Sequence, residues 1–266
     1  MRNILFTGLW ILLFLSPLIV FPQTYRTVKN DAFKRGEKFT FRVYYDSFIT
    51  GKVTAGSATL EVTQTQKPFY NRNTYHVVGV GKSAKFFDWF FKVNDRFETY
   101  FDEESFAPYY FVRRTREGGY TIDDDVYFRH LNNTARSRKN ITPVPVNVQD
   151  ILSAYYFART LDISNLSPGD YIKIPFFLDD TTYVSAIQYV GKEIVKTSLG
   201  KFRCLKLKPM VATGEVFSNP YPMTLWISDD KNRIPILGQS AVVVGNVKME
   251  LINFSGLSNP FTSKIK

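Results

Sequence analysis

Residues 36–45 read GEKFTFRVYY, and apolar side chains alternate there with polar ones. Phe39 and Phe41 fall on one side of an extended chain, whereas Lys38 and Arg42 fall on the other. A period of two residues is typical of a β-strand with one buried face. The segment therefore predicts a half-buried strand at the start of the folded chain.

The same alternation returns along most of the sequence, separated by short turns rich in Gly, Pro, Asn and Asp. We interpret the acidic runs at 123–125, 179–180 and 229–230 as solvated turns. So many short strands predict a mainly β fold, a large curved antiparallel sheet or half-open barrel with one or two short helices packed on its concave side. The further strands are expected at residues 50–65, 74–81, 93–101, 109–116, 120–122, 126–131, 134–141, 171–177, 182–190, 192–197, 201–208, 223–228, 234–237 and 242–252.

One helix is predicted between residues 150 and 159. Asp150 is a favoured N-cap residue, and Leu152, Tyr155 and Tyr156 then lie on one helical face. Arg159 ends the helix, where a cation interacts favourably with the helix dipole. The prolines just before the helix leave two interpretations open: residues 24–266 form a single β-rich domain, or two halves meet near 143–149.

The first residues have the pattern of an export signal. Residues 4–21 are uncharged and mostly apolar and follow Met1 and Arg2, so we assign residues 1–23 as a signal peptide. Phe21-Pro22-Gln23 is not a small-residue cleavage site, which leaves an uncleaved membrane anchor as the alternative. No cysteine follows the apolar run, so a lipoprotein is not expected. The sequence predicts a periplasmic or envelope-associated protein.

The chain is basic, with 34 Lys and Arg against 24 Asp and Glu and a formal net charge of +10. Such a charge favours anionic membrane surfaces or polyanionic glycans, and export disfavours nucleic acid as a partner. Two basic runs stand out, at residues 113–116 and 136–139. They are interpreted either as solvated strand faces or as a docking surface.

No catalytic or metal-binding motif is visible. His76 and His130 are the only histidines, and neither has another good metal ligand at helical spacing. The single cysteine, Cys204, excludes an intramolecular disulfide. We therefore expect no enzymatic activity, no cofactor and no metal, although a catalytic triad assembled only in space would leave no sequence motif.

Aromatic side chains supply the candidate ligand pocket. Residues 86–91 contain five aromatic residues, and Ser83 can cap a short helix there, so we interpret the segment as a plug inside the curved sheet. Ordinary core packing is the alternative for these residues. Arg159 is either an anion contact at the cavity mouth or a helix-end cation. The candidate pocket residues are Phe86, Phe87, Trp89, Phe90, Tyr155, Tyr156, Arg159 and Trp226.

Three further stretches carry a resemblance: GEKFTF at 36–41, DILSAYYFAR at 150–159, and TLWISDD at 224–230 followed by Arg233-Ile234-Pro235. Together they resemble the exported Gram-negative bacterial family called domain of unknown function 3108. The resemblance implies an envelope protein with a curved antiparallel sheet, similar in shape to periplasmic lipoprotein carriers. It implies no established activity and no catalytic residues.

The leading hypothesis is therefore a non-catalytic exported envelope protein that binds a lipid or other amphiphile in a curved β-sheet. The alternative is a structural or assembly factor that docks on an anionic envelope surface or glycan, or on an envelope protein, through residues such as Arg113, Arg114 and Arg116. An unrecognised hydrolase is a third possibility.

Overall fold

The computed structural model describes residues 25–48, 51–89, 91–210, 223–241 and 246–265, so the predicted signal peptide lies outside the described residues. The helical elements are a 3₁₀ turn, Phe87–Trp89, and one α-helix, α1 (Ile151–Thr160). The strands are β1 (Lys38–Ser47), β2 (Gly51–Val62), β3 (Thr74–Ser83), β4 (Asn94–Asp102), β5 (Pro108–Glu117), β6 (Tyr120–Arg129), β7 (Thr134–Arg136), β8 (Ile141–Pro143), β9 (Tyr171–Leu178), β10 (Thr181–Thr197), β11 (Gly200–Pro209), β12 (Met223–Ser228), β13 (Pro235–Ala241), β14 (Asn246–Ser255) and β15 (Lys264–Ile265).

All of these strands belong to one antiparallel sheet centred on β1 and β14. From β1 the sheet continues outward through β2 to β8 in chain order, and from β14 it continues through β13 to β9 in reverse chain order. The short strand β15 pairs with β11 beside this path. Strands on both sides of residues 143–149 therefore share one sheet.

The connection through α1 joins the two outer ends of the sheet, because β8 and β9 lie at opposite ends of the strand order. The sheet curls so that these ends approach each other. Just before the helix, Gln149 forms a parallel bridge with Phe176 of β9. Across the same gap, Arg113 of β5 donates to Asp179 in the β9–β10 turn. The result is a half-open barrel, as the sequence predicts.

Helix α1 packs on the concave side of the sheet, and its start is fixed by the predicted cap. Asp150 Oδ1 accepts hydrogen bonds from Leu152 N (2.8 Å) and Ser153 N (2.9 Å), while Ser153 Oγ accepts from Asp150 N (2.9 Å). Thr99 of β4 donates to the second Asp150 oxygen. Burial raises the pKa of Asp150 to about 6, although these hydrogen bonds oppose the shift.

The core lies between the helix and the concave side of the sheet. Beneath α1, Tyr156 packs with Val77 and Phe101, and further apolar side chains fill the region towards β9. The first strand follows its predicted alternation at Phe39 and Phe41, which are buried in a second part of the core. The alternation breaks at the bulge between Val43 and Tyr44, after which Tyr44 is buried and Val43 and Tyr45 are half-buried. These large rings account for much of the burial in a chain without a disulfide.

The sequence-based limits of the strands are wrong at three places. The acidic run at 123–125 does not form a turn but lies inside the continuous strand β6, where it pairs with the arginine-rich strand β5. Segments 182–190 and 192–197 form one strand, β10, with a bulge between Tyr189 and Gly191. Segment 134–141 divides into β7 and β8. Residues 179–180 and 229–230 do occupy turns, as predicted.

No helix among the described residues has the length and apolar character needed to cross a membrane.

Candidate functional site

Tyr155, Tyr156 and Arg159 lie together on α1, but the Arg159 side chain is buried, with 2% of it exposed. Its Nη1 donates to Glu37 Oε1 at 2.6 Å and its Nη2 to Glu37 Oε2 at 2.7 Å. The Asn232 carbonyl oxygen accepts from Nη2 at 2.8 Å. The guanidinium of Arg159 therefore closes a charge pair inside the protein and does not reach a cavity mouth.

Aromatic rings surround this pair. The Arg159 guanidinium carbon lies 5.2 Å from the ring centres of Phe33 and Tyr156 and 5.6 Å from that of Tyr155. Burial raises the pKa of Glu37, and the facing Arg159 charge opposes this effect. The buried hydroxyls of Tyr155 and Tyr156 have no hydrogen-bond partner among the described residues. Ligand binding here stays a prediction.

The other aromatic candidates lie elsewhere. Trp226 is buried in β12, and its Nε1 donates to Glu193 at 3.2 Å. Phe90 lies outside the described residues. Phe86 and Trp89 are exposed, and Phe87 is half-buried. The interpretation of this segment as an internal plug is therefore wrong, because its largest side chains face solvent.

Four exposed rings share one end of the sheet, and we call Phe48, Phe86, Trp89 and Phe91 the aromatic rim. Strands β1 to β6 are connected in order and alternate in direction, so the β1–β2, β3–β4 and β5–β6 connections lie at the same end. Phe48 is in the first connection, and the other three rings are in the second. Trp89 is 85% exposed.

The β3–β4 connection is held by hydrogen bonds despite its exposure. Ser83 N donates to Val93 O (3.0 Å), and Val93 N donates to Ser83 Oγ (2.8 Å), so the two ends of the segment are joined. Ser83 Oγ also contacts Asp88, as expected for a residue that caps a short helical turn. Ala84 N donates to Ala55 O in β2 at 2.8 Å.

Phe91 connects this segment to the β5–β6 turn. A Cβ on Gly118 would lie 2.3 Å from the Phe91 ring, so the ring packs directly on the glycine backbone. Gly118 N also donates to Lys92 O at 2.9 Å. Phe86, Trp89 and Phe91 of the rim are thus presented by a segment fixed on both sides, which lowers the entropy lost when these three rings contact a partner.

Lysines surround the rim, and we call Lys52, Lys82, Lys85 and Lys92 the rim lysines. All four are exposed. The lysine salt bridges within the described ranges involve other lysines. The local surface therefore combines large apolar rings with four exposed lysines, beside the exposed carboxylate of Asp88.

The arginines proposed as an anionic docking surface are neutralised within the fold. Arg113 pairs with Asp179, Arg114 with Asp125, and Arg116 with Asp123. Hydrogen bonds from Arg114 and Arg138 hold the pKa of Asp125 below its usual value, against the effect of burial. The acidic run of β6 thus balances the basic run of β5.

His76 lies in β3 and His130 in the turn after β6, and both have short contacts at their ring nitrogens. His76 Nε2 lies 2.9 Å from Glu98 Oε2, and His130 Nε2 lies 2.6 Å from Pro108 O. Burial lowers the pKa of both side chains, which favours neutral rings. Within the described part of the chain, no group of three or more His, Cys, Asp or Glu residues is arranged to hold a metal ion.

Sequence reasoning identified part of the rim and missed the rest. The aromatic density of residues 86–91 marked the β3–β4 connection, but we assigned the rings to the interior. Phe48 was not identified, although a phenylalanine in a hairpin turn is itself unusual, because turns favour Gly, Asn, Asp and Ser.

The curled sheet places this chain in the class of β-barrel-like proteins. It resembles the crystal structure of a β-barrel-like protein of domain of unknown function DUF1849 from Brucella abortus, with a TM-score of 0.53, 8% identity, and coverage of 85% of this chain and 99% of that chain. The chain belongs to the family described as protein of unknown function (DUF3108), whose model matches residues 40–252.

Two other solved structures are similar at lower scores. A Bacteroides fragilis protein, provisionally described as exported and with a YmcC-like fold, has a TM-score of 0.37 and 9% identity, with coverage of 86% of this chain and 100% of that chain. A protein from Parabacteroides distasonis, provisionally described as a lipoprotein, has a TM-score of 0.38 and 11% identity, with coverage of 86% and 99%. No curated protein matches the sequence.

Proposed function

We propose that this chain is a non-catalytic exported protein of the cell envelope that docks on an anionic membrane surface through its aromatic rim. The observation that carries the proposal is the exposure of Phe48, Phe86, Trp89 and Phe91 at one end of the sheet. Isolated exposed apolar residues are ordinary, but a group of large rings marks an interaction surface.

The chemistry of the rim matches the membrane interface. Trp and other aromatic rings favour the headgroup level of a bilayer, where part of the ring is apolar and part is wet. Fully burying a phenylalanine side chain is favourable by about 1.5–3 kcal/mol. Each lysine near an anionic surface adds about 1 kcal/mol. Four rings and four lysines together supply enough energy for reversible binding.

This proposal places the lipid at the rim and not inside the curve of the sheet. The concave side carries buried rings, among them Phe101, Phe106 and Tyr156, which already fill the region beneath α1. Lipid contact at the rim needs no internal cavity. The amphiphile that this envelope protein contacts is then the membrane itself, through its lipid headgroups and the adjoining acyl chains.

The proposal that the protein is exported is supported by the apolar run at residues 4–21, which follows Met1 and Arg2. N-terminal sequencing of the protein purified from its source cells tests this part. Loss of residues 1–23 supports export and cleavage, whereas a retained Met1 indicates a tethered form. The non-catalytic part is the expectation drawn from the sequence, in which no catalytic motif is visible.

Tryptophan fluorescence tests the rim directly. Replacing Trp10→Phe and Trp226→Phe leaves Trp89 as the only tryptophan in the full chain. We expect its emission to shift to the blue on vesicles of phosphatidylglycerol and phosphatidylethanolamine, and brominated acyl chains to quench it. Pure phosphatidylcholine vesicles should have a smaller effect, and added salt should weaken binding because it screens exposed charges.

Because the apolar segment at 4–21 can itself bind vesicles, the local environment of Trp89 is the informative signal. In this background Phe86→Ala should reduce the emission shift severalfold. The matched control is Leu131→Ala, which removes a side chain that is 83% exposed outside the rim, in the β6–β7 turn. Unchanged Trp89 emission on anionic vesicles would rule the proposal out.

A further inference from the structure

A second surface feature lies away from the rim, on the convex side of β5, β6 and β7. It is a cleft of about 730 Å³ whose lining includes Tyr70, Tyr127, Arg129, Arg136 and Lys139. Tyr70 comes from the β2–β3 connection, at the opposite end of the sheet from the rim. The cleft therefore does not share its lining with the aromatic rim.

A row of stacked rings leads into the cleft across four neighbouring strands. His76 of β3 stacks on Tyr100 of β4, with ring centres 4.1 Å apart and an angle of 4°. Tyr100 stacks on Tyr110 of β5 (6.1 Å), and Tyr110 stacks on Tyr127 of β6 (4.5 Å). Tyr127 is 47% exposed at the end of this row. Its ring is supported on one face by Tyr110, while almost half of the residue is exposed to solvent.

Cations lie beside this ring. Arg136 of β7 is directly opposite Tyr127 in the register of the two strands, and Arg129 follows Tyr127 by two residues on the same side of β6. Arg129, Arg136 and Lys139 are exposed. The arginine and lysine salt bridges in the described ranges do not include these three residues.

The carboxylate that lines the cleft, Asp125, already has hydrogen-bond partners. Asp125 accepts from Arg138 Nε at 2.7 Å and from Arg114 Nη2 at 2.7 Å. It also accepts from the Tyr110 hydroxyl at 3.0 Å. Asp125 therefore anchors Arg138 and Tyr110 in place and pairs with neither Arg129 nor Arg136. Lys139 also lines a neighbouring cleft whose carboxylates are Asp123, Asp124, Asp179 and Asp180. The cleft is left with a net positive charge next to an exposed tyrosine.

We propose that this cleft binds an anionic sugar, with the sugar ring stacked on Tyr127 and its acidic group held by Arg129, Arg136 and Lys139. Guanidinium groups pair bidentately with carboxylate or phosphate, which gives both charge and orientation. The stacked tyrosine row supplies the flat surface that an inorganic ion does not need. The polar lining makes an acyl chain a poor occupant.

Isothermal titration of the full chain tests this proposal with four probes: trigalacturonate, glucose 6-phosphate, maltotriose and inorganic phosphate. Binding of trigalacturonate identifies a carboxylate sugar, and binding of glucose 6-phosphate identifies a phosphorylated one. Either result supports the proposal when maltotriose, which lacks the charged contact, and inorganic phosphate, which lacks the stacked ring, bind at least about tenfold more weakly.

Variants locate the binding. Arg136→Gln and Tyr127→Ala should each weaken the anionic sugar about tenfold or more. The matched controls are Lys196→Gln, which removes an exposed cation of β10, and Tyr171→Ala, which removes a tyrosine that is also 47% exposed. Both controls should bind as the unmodified chain does, and so should Trp89→Ala, which separates this site from the rim.

Several results would overturn the proposal. If inorganic phosphate binds as tightly as either anionic sugar, the cleft is a simple anion site. If maltotriose binds as tightly, the cations do not contribute to binding. A thymidine oligonucleotide serves as a fifth probe, and tighter binding of it would assign the cleft to nucleic acid, since stacked rings with cations also suit single strands. Absence of binding by both anionic sugars would reject the site.

Discussion

Glu37 and Arg159 show how a single pair of residues joins distant parts of this chain. Glu37 lies just before β1 and Arg159 near the end of α1, and their side chains are 0% and 2% exposed. Removing two charges from water is costly, and the pair is tolerated because both carboxylate oxygens accept from the guanidinium and Asn232 O accepts two further bonds. The helix end is thereby fixed to the start of the sheet.

Removing one charge of this buried pair should lower the stability of the fold more than removing both charges. We expect Glu37→Gln to lower the free energy of unfolding by about 3–5 kcal/mol, because Arg159 is left buried without a counter-charge. Adding Arg159→Met should recover part of this loss. Urea unfolding followed by circular dichroism measures both variants.

The exposed pair Lys29 and Asp31 provides the control, since its side chains are 85% and 64% exposed. Asp31→Asn should change the free energy of unfolding by less than about 1 kcal/mol. A Glu37→Gln variant as stable as this control would contradict the structural role assigned to the pair.

At the scale of single elements, the β3–β4 connection is the most informative segment. Its exposed rings are an unfavourable composition for a loop in contact with water. Hydrogen bonds at Ser83 and Ala84 nevertheless join the segment to β2 and to the start of β4. The β5–β6 turn supports it from the other side, where Gly118 leaves room for Phe91. Two hairpin connections therefore build one surface.

Gly118→Ala should disturb this surface for two reasons. The φ angle of Gly118 is +55°, a left-handed conformation that costs a residue with a Cβ about 1–2 kcal/mol, and the new Cβ would also clash with the Phe91 ring. We expect a loss of stability larger than the conformational cost and weaker binding to anionic vesicles. Chemical unfolding and the Trp89 emission assay measure the two effects.

Gly51→Ala separates the two causes. Gly51 has a similar φ of +65°, but a Cβ there would meet no atom of the described residues within 4 Å. The control should therefore lose only the conformational part of the stability. Equal losses at Gly51 and Gly118 would show that the Phe91 contact contributes nothing.

Across the whole molecule, the curl of the sheet depends on contacts between its two outer ends. Phe177 of β9 lies edge-on to Phe128 of β6, with ring centres 6.0 Å apart, and both rings are buried. Gln149 N donates to Pro175 O, and Phe177 N donates to Gln149 O, so the helix connection pairs with the same strand. An apolar layer and a short backbone bridge together keep the barrel half closed.

Phe177→Ala should therefore destabilise the protein by about 3–5 kcal/mol, as is typical for a buried phenylalanine. The neighbouring residue gives the control. Phe176 is half-buried and stacks on Tyr183 of the adjacent strand, so Phe176→Ala should cost clearly less. Thermal and urea unfolding of both variants measure the difference, and a larger cost at Phe176 would show that the two sheet ends are not joined through Phe177.

The amino-acid sequence alone determined the local features of this protein. Alternating side chains predicted β1, and the side-chain oxygens of Asp150 predicted the start of α1, because both signals act over a few residues. Boundaries failed where a distant partner overrides local chemistry: the acidic run at 123–125 resembles a turn, but its pairing with the arginines of β5 keeps it in a strand.

Only the tertiary structure decided which side chains are available for binding. Arg113, Arg114 and Arg116 are as basic in the sequence as Arg136, yet each of the three has a carboxylate partner, whereas Arg136 has none among the described residues. Likewise, aromatic residues at 86–91 have the composition of a core, but the curl of the sheet leaves Phe86 and Trp89 outside it. Burial and charge pairing depend on residues that are far apart in the chain, so no local pattern specifies them.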